Sequence, residues 1–369
     1  MMQIIFFSIS LLVLLIGHAL FGYVFVKIFH LTALSTHFVI ALVLLFLFSS
    51  AVVSSYLIHK RDNLFSRWYY IFSGFWIGLL VNLGLMTVLV LFIRFLGITS
   101  GLILPLIYLK IVFFGGAFLI SIIGVFRAWN PQITEYEIAI KDLPDSWHNK
   151  TVVQISDVHL GPVYRERFFS RLLKRVNSLE PEAVFITGDL FDGMESDFSW
   201  VNHPFNNLKV KRGIYYSFGN HDLYLGFNRA LALLKGNPIK VLDNKMEVID
   251  GLQIIGINYS FNHDFDLEEA ILHQVNYDQK KASILLFHAP KNIELAKKAG
   301  IDLQLSGHTH DGQLFPFNLL AKWMYKGYGY GLFQDGDFSL VVNGGAGTWG
   351  PPMRTANQNE IVKITLKKK

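Results

Sequence analysis

The sequence predicts a membrane anchor of four helices followed by an α/β domain. Two observations predict this fold class. Hydrophobic residues make up 52% of the 369 residues and are concentrated before about residue 128, whereas short strand-like and helix-like segments alternate after about residue 133. We therefore expect two domains, an anchor over residues 1–128 and a globular domain over residues 133–369.

Four apolar runs of the anchor are each long enough to cross the hydrocarbon core of a bilayer, which is about 30 Å thick. They are the first ~26 residues, "LTALSTHFVIALVLLFLFSSAVVSSYLI", "WYYIFSGFWIGLLVNLGLMTVLVLFI" and, from about residue 103 to 126, "ILPLIYLKIVFFGGAFLISIIGVF". A cleaved signal peptide is the alternative for the first run. That run lacks a basic start and a small-residue cleavage site, and its apolar stretch is too long. We therefore expect an integral membrane protein.

The basic residues that flank these runs indicate an orientation. One side of the membrane receives Lys60, Arg61, Arg67 and Arg127. The other side receives little beyond Lys27 and Arg94. The positive-inside rule therefore predicts cytoplasmic termini and a cytoplasmic globular domain. Lys110, inside the fourth run, is interpreted either as a buried cation that faces a substrate headgroup or a partner helix, or as a side chain that snorkels to the interface.

The composition also excludes some classes of site and partner. The chain has no cysteine, so it can form neither a disulfide framework nor a thiolate metal site. The net charge of +5 is spread along the chain, with no Arg/Lys stripe that alternates with aromatic residues. Nucleic acid is therefore not an expected partner.

The globular domain is predicted to contain a largely buried sheet. Its strand-like segments are "TVVQIS", "AVFIT", "GIYYSF", "LQIIGI", "SILLF", "DLQLS" and "SLVVN". Its helix-like segments include "RFFSRLLKRVNSL", "NRALALLKG" and "NIELAKKAG". Apolar runs of this length between helical segments are typical of strands that are covered on both faces. In such sheets ligands gather beyond the carboxyl ends of the strands.

Five of these strand ends carry Asp, Asn or His. In chain order they deliver Asp157 and His159; Asp189 and Asp192; Asn220, His221 and Asp222; His288; and His308 and His310. Hydrogen-bonded polar residues on loops are the alternative, but five strand ends in succession favour one site. Mixed carboxylate, amide and imidazole ligands indicate Mn or transition ions. A pair of ions ~3.5–4 Å apart needs a bridging carboxylate, and Asp189, directly after a glycine, is the predicted bridge.

The series Asp-x-His, Gly-Asp-x-x-Asp, Gly-Asn-His-Asp, His and Gly-His-x-His resembles the calcineurin-like metallophosphoesterase superfamily over about residues 133 to 366. "GHTHDGQ" and "GAGTWGPPMR" are similar to its membrane-associated bacterial branch of the YkuE/YaeI type. The resemblance implies two packed mixed β-sheets flanked by helices, with the site at one rim. It also implies a location in the bacterial inner membrane.

The resemblance assigns roles to the strand-end residues. Two divalent ions (Mn, Fe, Zn or similar) would be the cofactors, the first held by Asp157, His159 and His310, the second by Asn220, His288 and His308, with Asp189 between them. His221 would protonate the leaving oxygen without binding metal, and Asp222 would orient His221 or have no chemical role. Asp192 would orient a ligand. Arg354 would bind a substrate phosphate, or form a surface salt bridge.

One further stretch bears on the substrate. Residues 314–333, "LFPFNLLAKWMYKGYGYGLF", would either dip into the bilayer interface and guide an acylated substrate or form a packed insertion. The favoured function is hydrolysis of a phosphoester or pyrophosphate bond in a lipid-linked substrate. The resemblance suggests a UDP-2,3-diacylglucosamine pyrophosphatase-like activity in lipid A synthesis. The alternatives are a general phospholipid or nucleotide phosphodiesterase of the cell envelope and a non-catalytic metal-binding membrane scaffold.

Overall fold

The structure is a computed structural model that describes residues 2–101, 105–261, 275 and 277–369. The chain forms two compact units. The helical unit contains Met1–Phe126 and Gly350–Thr355, and the sheet unit contains Arg127–Trp349 and Ala356–Lys369. The division after residue 126 lies close to the expected one, but residues 350–355, expected in the globular domain, belong to the helical unit.

The helical unit is built from four long helices. They are α1 (Met2–Phe29), α2 (Leu34–Lys60), α3 (Leu64–Ser100) and α4 (Leu106–Trp129). Among the described residues, these four helices are long and apolar enough to cross a membrane. The fourth was expected to begin near residue 103, and residues 102–104 lie outside the described part of the chain. The start of α3 is capped by Asn63, whose side chain accepts a hydrogen bond from the Ser66 backbone N–H at 3.0 Å.

The segment 350–355 belongs to the helical unit because glycines of α3 and α4 make room for it. A Cβ added to Gly78 would overlap the fully buried side chain of Met353. On α4, the Gly124 carbonyl accepts a 2.9 Å hydrogen bond from the backbone N–H of Arg354. Asn82 Nδ2 lies 3.8 Å from the Met353 sulfur. The segment therefore packs as part of the helix bundle.

Within the described residues, the strands of the sheet unit form two six-stranded sheets. In chain order they are β1 (Gln132–Ile140), β2 (Thr151–Ile155), β3 (Ala183–Thr187), β4 (Ile214–Ser217), β5 (Ile239–Val241), β6 (Lys245–Ile249), β7 (Leu252–Ile257), β8 (Ser283–Phe287), β9 (Leu303–Ser306), β10 (Gly331–Asp335), β11 (Phe338–Val342) and β12 (Glu360–Lys368). The first sheet has the order β1-β12-β2-β3-β4-β5 and the second the order β10-β11-β9-β8-β7-β6. Both combine parallel and antiparallel pairs.

Helices cover the outer faces of the sheets. They are α5 (Glu166–Asn177), α6 (Asn202–Asn206), α7 (Asn220–Leu225), α8 (Phe227–Leu234), α9 (Ile293–Lys298) and α10 (Phe317–Met324). In β3, Val184 and Ile186 pack in the cluster that contains Phe169 of α5, whereas Phe185 packs in the cluster that contains Ile284 of the second sheet. This alternation follows the two-residue period of a strand, so both faces are buried. The predicted architecture of two packed mixed sheets flanked by helices is confirmed.

The topology brings the predicted site residues to one rim. In the first sheet β2, β3 and β4 are parallel neighbours, and in the second β8 and β9 are parallel neighbours. Parallel neighbours end at the same edge of a sheet, where ligands of α/β sheets bind. All five strand ends that carry Asp, Asn or His come from these five strands.

Candidate metal centre

The described residues include two groups of side chains that could each hold a metal ion at this rim. One group is Asp157, His159 and His310, and the other is Asp189, His288 and His308. A third group, His159, Asp189 and His221, overlaps both. Within each group the ligand atoms lie within 4.8 Å of one another. The two groups share this rim, and Asp189 lies in both the second and the third.

In the first group two imidazole nitrogens face each other. His159 Nε2 and His310 Nε2 are 3.0 Å apart, and His310 Nε2 is 3.2 Å from Asp157 Oδ1. His159 Nδ1 donates a hydrogen bond to Asp192 Oδ1 at 3.1 Å, so a neutral His159 ring presents a lone pair at Nε2. Lone pairs of nitrogen and carboxylate oxygen that point at one another require a proton or a cation between them. The donor set therefore fits a metal ion.

The second group repeats this arrangement. His288 Nδ1 donates to the Thr187 carbonyl at 2.7 Å, which leaves a lone pair at Nε2 in the neutral ring. That Nε2 atom lies 3.1 Å from Asp189 Oδ2 and 3.2 Å from both Asn220 Oδ1 and His308 Nδ1. Both oxygens are acceptors, so a cation fits here as well. The mixture of carboxylate, amide and imidazole is the chemistry that Mn and similar divalent ions prefer.

The electrostatics of the site favour ionised carboxylates. Burial acts to raise the pKa of Asp189, but the nearby His288 and His221 outweigh it and hold the pKa below its usual range. Burial likewise opposes the ionisation of Asp157, and His310 and His288 again hold its pKa well below its usual range. Burial lowers the pKa of His308 to about 3, whereas Asp189 and Asp157 outweigh burial and raise the pKa of His288 to about 9. The two buried carboxylates thus stabilise a positive charge beside them, whether a proton on His288 or a metal cation.

The backbone is strained where it presents these ligands. Asp157, His159, Asp189, His308 and His310 all have positive φ angles, between 50° and 72°. A residue other than glycine seldom adopts this left-handed conformation, which costs of order 1–3 kcal/mol per residue and clusters at functional sites. Five such residues at one rim are typical of a functional site.

Two glycines allow the loops to approach one another. A Cβ added to Gly219 would overlap the carboxylate of Asp189, and a Cβ added to Gly307 would overlap that of Asp157. These glycines precede Asn220 and His308 in the sequence motifs. The motif glycines are therefore required by the close approach of a neighbouring carboxylate.

Comparisons with known proteins agree with this site. The family model of calcineurin-like phosphoesterases matches residues 150–312. An uncharacterized metallophosphoesterase of Campylobacter jejuni is 34% identical over 267 residues, which cover 71% of this chain and 71% of that protein.

The chain belongs to the calcineurin-like phosphoesterase family. A transmembrane protein with metallophosphoesterase domain from Danio rerio is similar at 33% identity, over 64% of this chain and 57% of that protein. The metallophosphoesterase YkuE of Bacillus subtilis is 26% identical, over 64% of this chain and 85% of that protein. The resemblance predicted from the motifs is confirmed, including the likeness to YkuE. Phosphoesterases of this family use divalent metal ions, which the donor set of this chain fits.

In this phosphoesterase His221 is held by two hydrogen bonds, one from its backbone and one from its ring. Its backbone N–H donates to Asp189 Oδ1 at 2.8 Å, and its Nδ1 donates to the Asp192 carbonyl at 2.9 Å. The ring lies edge-on to Tyr224 and Trp349, with centroids 5.1 and 5.7 Å away. These contacts fix the ring and leave Nε2 as the nitrogen that can exchange a proton with a substrate.

Asp222 was expected to orient His221 or to have no chemical role, and the structure gives its side chain other partners. Its carboxylate accepts hydrogen bonds from the backbone N–H groups of Asp189 at 2.7 Å, Gly219 at 2.8 Å and Phe191 at 3.0 Å. Burial and then the charge of Asp189 raise the pKa of Asp222 to about 7. Asp222 therefore positions the loop of Asp189, and the His221 ring is oriented by the Asp192 carbonyl.

Arg354 is placed in the other unit of the phosphoesterase. Its side chain is fully buried in the helical unit, so the alternative of a surface salt bridge is wrong. A role in binding a substrate phosphate stays a prediction. Asp192, in contrast, contacts His159 as an orienting residue should.

Aromatic residues around the metal groups were not predicted as site residues. The ring of Tyr259 lies 5.5 Å from that of His308, and the ring of Tyr325 lies 6.1 Å from it. Tyr224 and Trp349 contact His221, as described above. Tyr325 lies in the stretch 314–333 and Trp349 lies in the motif "GAGTWGPPMR", both of which the sequence singled out without predicting these two residues as part of the site. The others carry no signal in a single sequence, because their loops reach the site through tertiary packing.

Proposed function

We propose that this phosphoesterase hydrolyses a phosphoester or pyrophosphate bond of a lipid-linked substrate at a membrane, with two divalent ions in its centre. The observation that carries the proposal is the position of Asp189. Its Oδ2 atom is 3.1 Å from His288 Nε2 of one metal group and 3.9 Å from His159 Nε2 of the other. A carboxylate between two sets of nitrogen donors is the arrangement that a bridged pair of ions requires.

The seven residues would share the two ions in a defined way. The first ion would be held by Asp157, His159 and His310, the second by Asn220, His288 and His308, and Asp189 would contact both. When bound, such a pair supplies Lewis-acid activation of water and neutralises the charge of a phosphoryl group. Asp192 keeps the His159 ring in the tautomer that a metal needs, and the Thr187 carbonyl does the same for His288.

His221 would act as the general acid. As water oxygen forms a bond to phosphorus, the bond from phosphorus to the leaving oxygen breaks, and that oxygen needs a proton. His221 Nδ1 is engaged by the Asp192 carbonyl, so the proton comes from Nε2. The flanking rings of Tyr224 and Trp349 limit the orientations that the imidazole can adopt.

The exposed apolar face of helix α10 supports the proposal that the substrate is lipid-linked. The helix begins seven residues after His310 and exposes several large apolar side chains. They are Phe317, Leu319, Leu320, Trp323 and Met324, with Trp323 77% exposed, and Phe315, two residues before the helix, is exposed as well. Leu319, Leu320 and Trp323 lie on one helical face, and Tyr325 at the end of the helix contacts His308. An exposed apolar face with a neighbouring Lys322 is typical of helices that lie in a membrane interface.

The aromatic rings beside the metal groups support a substrate that also contains a nucleotide. Tyr224, Tyr259 and Trp349 offer ring faces on which a nucleobase could stack. A nucleoside diphosphate joined to an acylated sugar, such as UDP-2,3-diacylglucosamine, combines a base, a pyrophosphate and acyl chains. The same rings favour a general nucleotide phosphodiesterase as the second candidate.

Product analysis on the full-length protein tests the proposal. The protein, loaded with Mn in detergent, is incubated with an aryl phosphodiester, UDP-2,3-diacylglucosamine, UDP-N-acetylglucosamine and a diacyl phospholipid. We expect hydrolysis of the aryl ester and faster hydrolysis of the acylated nucleotide than of the water-soluble one. Preference for the water-soluble nucleotide would favour the second candidate. Hydrolysis of none of them would favour the metal-binding scaffold.

Two variants distinguish loss of activity at the metal centre from loss of activity through a general effect on the fold. Asp189→Asn should lower turnover of the aryl ester by at least about 100-fold, because an amide bridges two cations poorly. Asp250→Asn changes an exposed carboxylate of the same unit that pairs with Arg212 at 2.8 Å, and it should retain activity. Equal turnover by Asp189→Asn and wild type would contradict the bridging role.

The location in the bacterial inner membrane, with a cytoplasmic sheet unit, is also part of the proposal. It is supported by the four apolar helices and by the basic residues Lys60, Arg61 and Arg67 between the second and third helices and Arg127 after the fourth. Because the chain has no cysteine, a single Ser199→Cys change in an exposed loop gives one labelling site. In intact cells a membrane-impermeant thiol reagent should leave that cysteine unlabelled, and it should label it after lysis. Labelling in intact cells would contradict the proposed orientation and place Ser199→Cys outside the cytoplasm.

A further inference from the structure

The helical unit contains a cavity of about 700 Å³ that the phosphoesterase reaction does not use. It lies where α1 and α3 end and α4 begins. Its apolar wall includes Val90, Leu109 and Phe113. Its volume is within the range of about 300–1,000 Å³ that is typical of sites for small molecules.

Three cations line this otherwise apolar cavity. Lys27 comes from the last turn of α1, Arg94 from the end of α3 and Lys110 from the start of α4. The Lys110 ammonium lies 4.6 Å from the centroid of the Phe29 ring, and that of Lys27 lies 5.7 Å from the Tyr23 ring. Aromatic faces attract a cation only weakly and leave its charge uncompensated.

The sequence provides no carboxylate that could neutralise these cations within the unit. Asp62 is the only acidic residue among residues 1–128. It precedes α3 and pairs with Arg67, whereas Arg94 lies near the other end of that helix. Three positive charges around an apolar cavity are therefore complementary to a ligand that carries its own negative charge.

The positions of the cations along the helices define the kind of anion. Each lies within two turns of the end of an apolar helix, where Lys and Arg side chains meet lipid headgroups. The apolar wall begins beside them and continues along α3 and α4. A ligand that fits both regions has a phosphate at one end and an acyl chain at the other. Free phosphate would leave the apolar part unfilled.

We propose that this cavity is a binding site for an anionic phospholipid of the bilayer. Its phosphate is held by Lys27, Arg94 and Lys110, and one acyl chain lies against Val90 and Leu109. The site is separate from the metal centre. The proposal does not depend on whether the phosphoesterase acts on lipid-linked substrates. It assigns Lys110 a lipid phosphate as its ligand, where the sequence alone left open whether this side chain faces a ligand or snorkels to the interface.

Retention of lipid by the full-length, Mn-loaded protein tests the site. Native mass spectrometry counts the lipids that remain bound after titration with phosphatidylglycerol or phosphatidylcholine. We expect preferential retention of phosphatidylglycerol by the wild type. Combining Lys27→Gln, Arg94→Gln and Lys110→Gln should weaken that retention by at least about 10-fold, because each cation near a membrane surface attracts anionic lipid. Hydrolysis of a water-soluble aryl ester should not change.

A matched control removes the same number of charges at the other helix ends. Lys60→Gln, Arg61→Gln and Arg127→Gln together should retain phosphatidylglycerol like the wild type. Leu91→Trp, which fills the cavity from an exposed position on its wall without changing charge, should also weaken retention. This variant keeps the proposal testable if the triple cavity variant fails to fold.

Three results would overturn the proposal. The first is equal retention by the cavity variants and the control variant. The second is equal retention of phosphatidylcholine and phosphatidylglycerol by the wild type, which would mean that the cations select nothing. The third is displacement of phosphatidylglycerol by millimolar inorganic phosphate, which would mean that the site takes a free anion and not a lipid.

Discussion

The fully buried carboxylate of Asp222 provides the sharpest test of how the loop that carries Asp189 is held. It accepts three backbone hydrogen bonds, from Asp189, Gly219 and Phe191, at 2.7–3.0 Å. Asp222→Ala leaves three buried N–H groups without an acceptor, each at a cost of about 1–3 kcal/mol. The expected loss is about 3–9 kcal/mol, which is comparable to the whole stability of a typical domain.

Asp222→Asn is predicted to be much milder. Its single carbonyl oxygen can replace Oδ2, which accepts two of the three bonds, so that only the bond from Phe191 is lost. The expected cost is about 1–3 kcal/mol. The lost bond would leave the loop less restrained at Phe191, two residues after Asp189. Metal retention should therefore fall even though the protein is folded.

Thermal unfolding and metal content of the purified full-length protein measure both effects. Asp222→Asn should be folded, less stable than wild type and depleted in metal after dialysis, and Asp222→Ala should be far less stable. The exposed Asp250→Ala is the control and should cost about 0–1 kcal/mol. Wild-type stability and metal content in Asp222→Ala would refute the reasoning, and so would equal damage by the Ala and Asn variants.

Three further predictions concern other parts of the phosphoesterase. Asp192→Ala removes the acceptor of His159 Nδ1 and should weaken metal binding by about 10–100-fold, as measured by titration calorimetry; unchanged affinity would contradict an orienting role. Trp323→Ala should raise KM for an acylated substrate while leaving KM for a soluble ester unchanged; an unchanged KM for the acylated substrate would contradict a role of this face in binding acyl chains. Burial raises the pKa of Asp302 to about 6, so the folded state holds this proton more tightly than the unfolded state and loses stability as pH rises from about 4 to about 6. Asp302→Asn should flatten that part of a plot of Tm against pH, and parallel plots would contradict it.

The sequence predicted the central part of the fold because its strands have an unambiguous pattern. The continuous apolar runs of β3 and β8 are buried on both faces, and such runs can be identified without knowing their neighbours. The strands β1 and β12 were not singled out. In β1 the exposed Glu135 and Glu137 alternate with more buried residues. This is the pattern of a strand with one exposed face, so the signal was present in the sequence and was missed.

The metal groups could be predicted because their members lie in the loops that follow the carboxyl ends of strands. The topology then does the rest, since parallel strands end at one rim. The partners of Asp222 could not be predicted, because they are backbone N–H groups of loops 30 or so residues away. The place of Arg354 was also beyond prediction. It depends on how Gly78 and Gly124 receive the segment 350–355, and glycines within apolar helices have many other uses.

The most direct test of the central claim is the metal stoichiometry of the purified full-length protein after Mn loading and dialysis, measured by elemental analysis. We predict about two ions per chain for the wild type and clearly fewer for Asp189→Asn, with Asp250→Asn like the wild type. An active preparation without stoichiometric metal, or an Asp189→Asn variant that retains both ions, would contradict the claim.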